Sequence, residues 1–267
     1  MAGLLPILVS VPHGGIVAPS ETLGHCLLDE RDFAIDGDTW ARELYALRDD
    51  VIGYVDTPTP RAIVDMNRSP YGGPGPDAIT KMVTIQGKQV WRDQSGPPRS
   101  LAYQLISGHH WKYHQALDRL SRILPGVQLG VDCHTMLAVG PEGAPDPGQR
   151  RPMICIGNRG GGDARSASEP TTAPAELVFG LRDALQAAFR HEDVDVGEIS
   201  INAPFKGGYI CRRHGQYGPI PWLQLELSRA LYLPGDGEIS ARPGRESGRR
   251  LDDLRLKIMS ALRRLFA

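Results

Sequence analysis

The sequence predicts an α/β fold built on a sheet of parallel or mixed strands. Short runs rich in β-branched residues alternate with longer segments of helical period, the pattern of strands and helices sharing one sheet. Polar residues able to do chemistry follow directly on three of the apolar runs. Stretches rich in Gly and Pro follow the runs, where α/β proteins place their binding loops.

Taken in order, the strands are expected at residues 7–11, 51–55, 62–66, 128–132, 153–156 and 222–226. The first eleven residues are apolar but short, with no basic leader, so they read as a first strand and not as a signal peptide. Helices are expected at residues 38–48, 101–124, 175–191 and 249–266. The last carries Leu251, Leu254, Ile258, Leu262 and Leu265 at spacings of three and four, an apolar stripe for packing on the sheet. Residues 69–77, 139–151 and 158–174 read as surface loops because Gly and Pro punctuate them. No repeat or long linker divides the chain, which predicts one domain over residues 1–267.

Composition narrows the function. The chain has 267 residues, 41% hydrophobic and 23% charged, with a net charge of −1 and both signs interspersed. A nucleic-acid or anionic-membrane partner wants a basic face, and nothing here suggests one. No run reaches the roughly 18 apolar residues of a membrane span. Cys26, Cys133, Cys155 and Cys211 lie far apart without a Cys-x-x-Cys pair, which predicts free thiols in a reducing cytoplasm. A small-molecule substrate is the expected partner; oligomeric state is not encoded in any pattern we recognise.

Three residues stand out at the ends of apolar runs: His13 before Gly14-Gly15, His134 after Leu-Gly-Val-Asp-Cys, and Glu226 after Trp-Leu-Gln-Leu. If those strands are parallel neighbours, the three side chains meet on one rim of the sheet. Imidazole and carboxylate are the usual ligands of catalytic zinc, which keeps a fourth position open. Asp132 lies two residues before His134 and so shares its face of the strand, where it can orient the imidazole. Asp36 and Asp38 open the next predicted helix, and one of them is expected to cap it.

Two other patterns are weaker. His110 and His114 lie one helical turn apart with His109 alongside, but Trp111 stands where a His-Glu-x-x-His motif has its glutamate. They read as an exposed helix surface. Gly160-Gly161-Gly162 lacks the Lys-Ser/Thr of a phosphate loop.

Taken together, Val9-Ser-Val-Pro-His-Gly-Gly15, Asp36-Gly-Asp38 with Leu44-Tyr45, Val64-Asp-Met-Asn-Arg68, Asp132-Cys-His134, Phe205-Lys-Gly-Gly-Tyr-Ile210 with Arg212, and Gln224-Leu-Glu-Leu227 resemble the N-formylglutamate amidohydrolase (deformylase) family. The resemblance implies a fold similar to the zinc carboxypeptidases, a mixed twisted sheet flanked by helices. It implies a metal held by His13, His134 and a carboxylate, with Glu226 as general base. The wider carboxypeptidase pattern has a glutamate three residues after the first histidine; Ile16 occupies that place, and Asp38 fits the missing ligand better than Asp36, which is left beside the site with Asp132. Asn67-Arg68 resembles a pair that grips a substrate carboxylate, consistent with the bidentate fork of a guanidinium. Lys206 and Arg212, flanking Gly207-Gly208, are further candidates for an acidic substrate side chain.

The expectation is therefore a zinc-dependent hydrolase (another divalent metal being the variant) that cleaves a small N-acyl amino acid, with N-formyl-L-glutamate foremost. The alternatives are a carboxypeptidase-like hydrolase of other acyl amino acids or peptides, and a binding protein without catalysis.

Overall fold

The computed structural model describes residues 3–72, 75, 78–192, 198–233 and 239–267. Strands run over Leu5–Val11 (β1), Val51–Asp56 (β2), Leu129–Met136 (β3), Ile154–Gly157 (β4), Ile199–Ile201 (β5) and Trp222–Ser228 (β6). They form one sheet in the order β2-β1-β3-β6-β4-β5. All neighbours are parallel except β4, which runs antiparallel to β6. The mixed sheet expected from the sequence is the one found.

Alternation along the strands divides the core into two faces, since successive side chains point to opposite sides. Ile7, Val9, Val131, Cys133, Leu223 and Leu225 face one way, against helices α5 (Ala175–Phe189) and α6 (Arg245–Arg264). Leu251, Leu254, Ile258 and Leu262 of α6 are buried there, so the stripe packs as its spacing predicts. Leu8 and Trp222 face the other way, against the buried segment Ala62 to Met66 and the two helices carrying Leu101, Leu105 and Leu117. On this second face Gly130 is obligatory, because a Cβ there would lie 2.2 Å from the Trp222 ring.

The same alternation puts Ser10, Asp132, His134, Gln224 and Glu226 on the second face, all buried. In a water-facing sheet these polar groups would be solvated. Here each must find a partner inside the protein, because an unpaired buried polar group costs several kcal/mol in transfer terms, roughly 1–3 by mutation.

Three expected elements differ. Residues 62–66 are fully buried but form turns after Pro60: the amides of Ile63 and Val64 both donate to the Pro60 carbonyl. A short apolar run signals burial, and periodicity alone does not make it a strand. Where one helix is expected at 38–48 only a short α2 (Ala41–Leu44) forms, and α1 (Glu30–Asp36) precedes the range. Neither Asp36 nor Asp38 is a cap: Asp29 caps α1 in a reciprocal pair with Asp32, and Asp36 is that helix's last residue. The helix expected at 101–124 is α3 (Arg99–Leu105) and α4 (Trp111–Ile123), joined by a π turn at Ile106–His110. The loop expected at 69–77 lies partly outside the described residues.

Candidate active site

The site is assembled at the carboxyl ends of β1, β3 and β6, which are consecutive parallel neighbours. His13 follows β1; His134 lies in β3 directly opposite Glu226 of β6. Asp38 comes from the turn after α1 and is fixed by a hydrogen bond from the Thr135 amide to its Oδ2, 3.1 Å. His134 Nδ1 lies 3.0 Å from the same Oδ2 and His13 Nδ1 lies 3.8 Å from it. One ligand atom from each of His13, Asp38 and His134 lies within 4.8 Å of the others, and all three residues are buried.

The far nitrogens are held just as deliberately. His134 Nε2 is 3.0 Å from Asp132 Oδ2, and Asp132 Oδ1 accepts from Ser10 Oγ. His13 Nε2 is 2.7 Å from Asp65 Oδ1. Asp65 also accepts from the Asn67 amide at 2.8 Å and from Arg61 Nη2 at 3.4 Å. Each imidazole is thus oriented by a carboxylate through Nε2, leaving Nδ1 to face Asp38.

Electrostatics follow from this packing. Burial brings His13 down to about 4, outweighing the opposing pull of Asp65. For His134, burial acts in the same direction, but Asp132 and Asp38 on either side raise it well above the ordinary histidine range. Burial alone would raise Asp38, yet its hydrogen bond with His134 and the charges of His13, His134 and Arg229 hold it well below the carboxylate range. Glu226 goes the other way: burial lifts it to about 7, against the pull of His134. Gln224 Nε2 donates to Glu226 Oε1 at 2.6 Å.

The remaining candidate residues stand partly beside this cluster and partly outside it. Asp36 is turned away from the cluster: its Oδ1 accepts from the Ile85 amide and its Oδ2 lies 3.9 Å from Lys81 Nζ. The Asn67 side-chain amide is already partnered within the protein. Its Oδ1 accepts from the Ile210 amide and its Nδ2 donates to Asp132, so it ties three segments together. Gly208 is required beside it, where a Cβ would lie 2.5 Å from the amide. Arg68 is half-buried and donates to the Asn67 carbonyl. Lys206 and Arg212 are exposed, and no side-chain hydrogen bond joins them to the cluster among the described residues. His110 and His114 are not an exposed surface; both are buried.

Sequence reasoning missed three charged residues. Asp65 stands inside Val64-Asp-Met-Asn-Arg68, where an aspartate in an apolar run signals a buried partner. Arg61 reaches Asp38 Oδ1 at 3.8 Å as well as Asp65. Arg229 donates to the Gly37 carbonyl and to Thr135 Oγ1, and stands 3.5 Å from Asp38 Oδ1. A small cavity of about 160 Å³ adjoins His13 and Asp38, walled by Ile16, Phe33 and Trp40.

The family profile described as N-formylglutamate amidohydrolase matches residues 5–233. Among solved structures, N-formylglutamate amidohydrolase from Ralstonia eutropha JMP134 superposes with a TM-score of 0.64 at 20% identity, covering 98% of this chain and 94% of that one. That likeness is one of fold. A metallo-carboxypeptidase from Burkholderia cenocepacia gives a TM-score of 0.37 at 12% identity, over 99% of this chain and 57% of that one. So loose an overlap carries no chemical argument. No curated protein sequence matches the chain. On the family profile, which spans most of its length, the chain belongs to the N-formylglutamate amidohydrolase family.

Proposed function

We propose that this chain is a single catalytic domain that hydrolyses a small N-acyl amino acid with zinc at His13, Asp38 and His134, and that N-formyl-L-glutamate is the foremost substrate. One observation carries the metal. His13 Nδ1 is buried and has no hydrogen-bond partner, yet it points at Asp38 beside His134. An orphaned buried nitrogen is costly unless something binds it. Two imidazoles and one carboxylate suit zinc, whereas magnesium prefers oxygen shells. When bound there, the metal supplies Lewis acidity toward an amide carbonyl and toward water.

The chain's own residues supply the rest. Glu226 faces the site from β6, and burial lifts its carboxyl to about 7, where a group both accepts and returns a proton near neutrality. It takes a proton from the attacking water and delivers it to the amine nitrogen as the C–N bond breaks; formate and the free amino acid leave. Arg61, whose buried Nε has no partner, stands near the cluster to favour negative charge on the carbonyl oxygen. Arg68 holds the α-carboxylate. Asn67 positions the Arg68 backbone, and Lys206 and Arg212 serve the second carboxylate of a glutamyl substrate. The small cavity beside His13 and Asp38 favours a small acyl group. Free cysteines, as the described structure has them, accord with a cytoplasmic setting.

Turnover of N-formyl, N-acetyl and N-succinyl amino acids and of dipeptides, measured by amine release on zinc-loaded protein, tests this. The reading expects formyl substrates to lead and N-formylglutamate to have the highest kcat/KM. Preference for dipeptides would shift it to a peptidase, and no turnover of any substrate would refute it.

A further inference from the structure

His110, His114 and His214 do not join the His13–Asp38–His134 cluster, and the proposed chemistry uses none of them. His114 of α4 is buried against His214, which lies in a π turn at Cys211–Gly215; the two rings stack 5.1 Å apart. His114 Nδ1 lies 2.8 Å from His214 Nε2, and His114 Nε2 lies 2.9 Å from the Met66 carbonyl oxygen. At the outer end His214 Nδ1 faces Asp118 Oδ1 at 3.1 Å.

Proton counting fixes the directions. A carbonyl only accepts, so His114 Nε2 carries hydrogen and donates. The anionic Asp118 also only accepts, so His214 Nδ1 carries hydrogen. One more proton lies between the rings. Three protons on four nitrogens give the pair one positive charge, balanced by Asp118. Burial holds His114 well below the usual histidine range, and the carboxylate that balances the charge stands at the outer end of the pair.

The inner end continues toward the site. The Met66 carbonyl and the Asn67 amide belong to one planar peptide, so holding its oxygen also aims its N–H. That N–H donates to Asp65 Oδ1, which holds His13 Nε2. His110 Nε2 donates to the Arg68 carbonyl, two residues further on, at 3.0 Å. Hydrogen bonds in such a chain polarise one another.

We infer that His114 and His214 are positioning residues: with Asp118 they form the outer end of a hydrogen-bonded chain through the Met66–Asn67 peptide and Asp65 to His13, and this chain sets the affinity of the metal position. The inference rests on the reading of His13 as a ligand.

The test is a double-mutant cycle on zinc affinity, read by competition with a chromogenic chelator on protein shown to be folded. Asp65→Asn should weaken zinc binding roughly ten- to a hundredfold, the usual effect of losing a ligand's partner. His114→Phe, which keeps a ring but no hydrogen bond, should weaken it about tenfold. The double variant should be no weaker than Asp65→Asn, because both break one chain. His114→Gln retains a donor for Met66 and should bind within about threefold of wild type. Should His114→Phe not fold, His214→Phe takes its place in the cycle. Wild-type affinity in the folded histidine variant, or full additivity with Asp65→Asn, overturns the inference alone. A wild type that binds no zinc overturns the metal reading and the inference together.

Discussion

Asp65 and Asp132 hold the two histidines of the cluster in the same manner: Asp65 Oδ1 lies 2.7 Å from His13 Nε2 and Asp132 Oδ2 lies 3.0 Å from His134 Nε2. The sequence places them very differently. Asp132 is two residues from its histidine on one strand, while Asp65 is 52 residues from its own. The result is nonetheless a matched pair, with both Nδ1 atoms turned to Asp38.

The first prediction concerns metal content. Protein purified without chelator should carry about one zinc per chain, on the three-ligand pattern. His134→Ala should lose most of it. Asp36→Asn should keep it, because Asp36 bonds to Ile85 and lies by Lys81. Elemental analysis of both variants decides the matter, and a metal-free preparation with full activity would end the metal reading.

Glu226→Gln separates base from ligand. Glutamine keeps the size and can still meet Gln224, but cannot take a proton. Zinc content should stay near wild type while kcat falls by about 10² to 10⁴. Substrate binding by calorimetry should survive. A purely structural glutamate would instead lower stability and leave kcat per folded molecule alone. Unchanged turnover in the zinc-loaded variant removes Glu226 from the mechanism.

Arg68→Lys keeps the charge and removes the fork. Loss of a charge-assisted pair is on the order of 1.5–3 kcal/mol, roughly ten- to a hundredfold in kcat/KM. An amide-capped substrate, which has no α-carboxylate, should be hydrolysed about equally by both proteins. Equal damage on capped and free substrates would move Arg68 from carboxylate grip to another role.

Lys81 should show in the pH dependence of stability. Burial brings its amine down to about 8, aided by Arg61 and opposed by Asp36. Between that value and the ordinary lysine pKa of about 10.4 the unfolded chain binds a proton that the folded chain does not. Stability therefore rises with pH through that window, and below it the charged amine carries its full cost. Lys81→Met should stabilise the protein at pH 7 by up to about 3 kcal/mol, the equivalent of that shift. The gain should fade as pH approaches 10.4 or so. Denaturant titrations at pH 7 and pH 10 measure it; a variant less stable at both would show the ion pair with Asp36 to be dominant.

Much of the site was legible because strand geometry is local. His134, Asp132 and Glu226 sit on apolar runs whose period of two sets their face. His13 stands out at the end of its apolar run, while the choice of Asp38 rests on the resemblance of ordered motifs. The buried histidines were misread because a helix shows its own period but not what packs on it: His110 and His114 look like a polar face until the chain carrying Met66 and Arg68 covers them. Residues 62–66 resemble a strand in sequence because burial on every side and strand burial leave the same apolar run.

The sequence by itself determined which residues are able to ligate, which faces of the strands they occupy, and the mixed α/β class, since these follow from composition and short-range period. Tertiary structure alone decided the long-range partnerships. The turn after Pro60 carries Arg61 and Asp65 to His13, Arg229 crosses to Asp38 from 191 residues away, and Asn67 bonds to Ile210 from 143 away. No local pattern encodes such contacts, because each depends on two distant segments being desolvated against one another, where a buried charge is tolerated only with its partner in place.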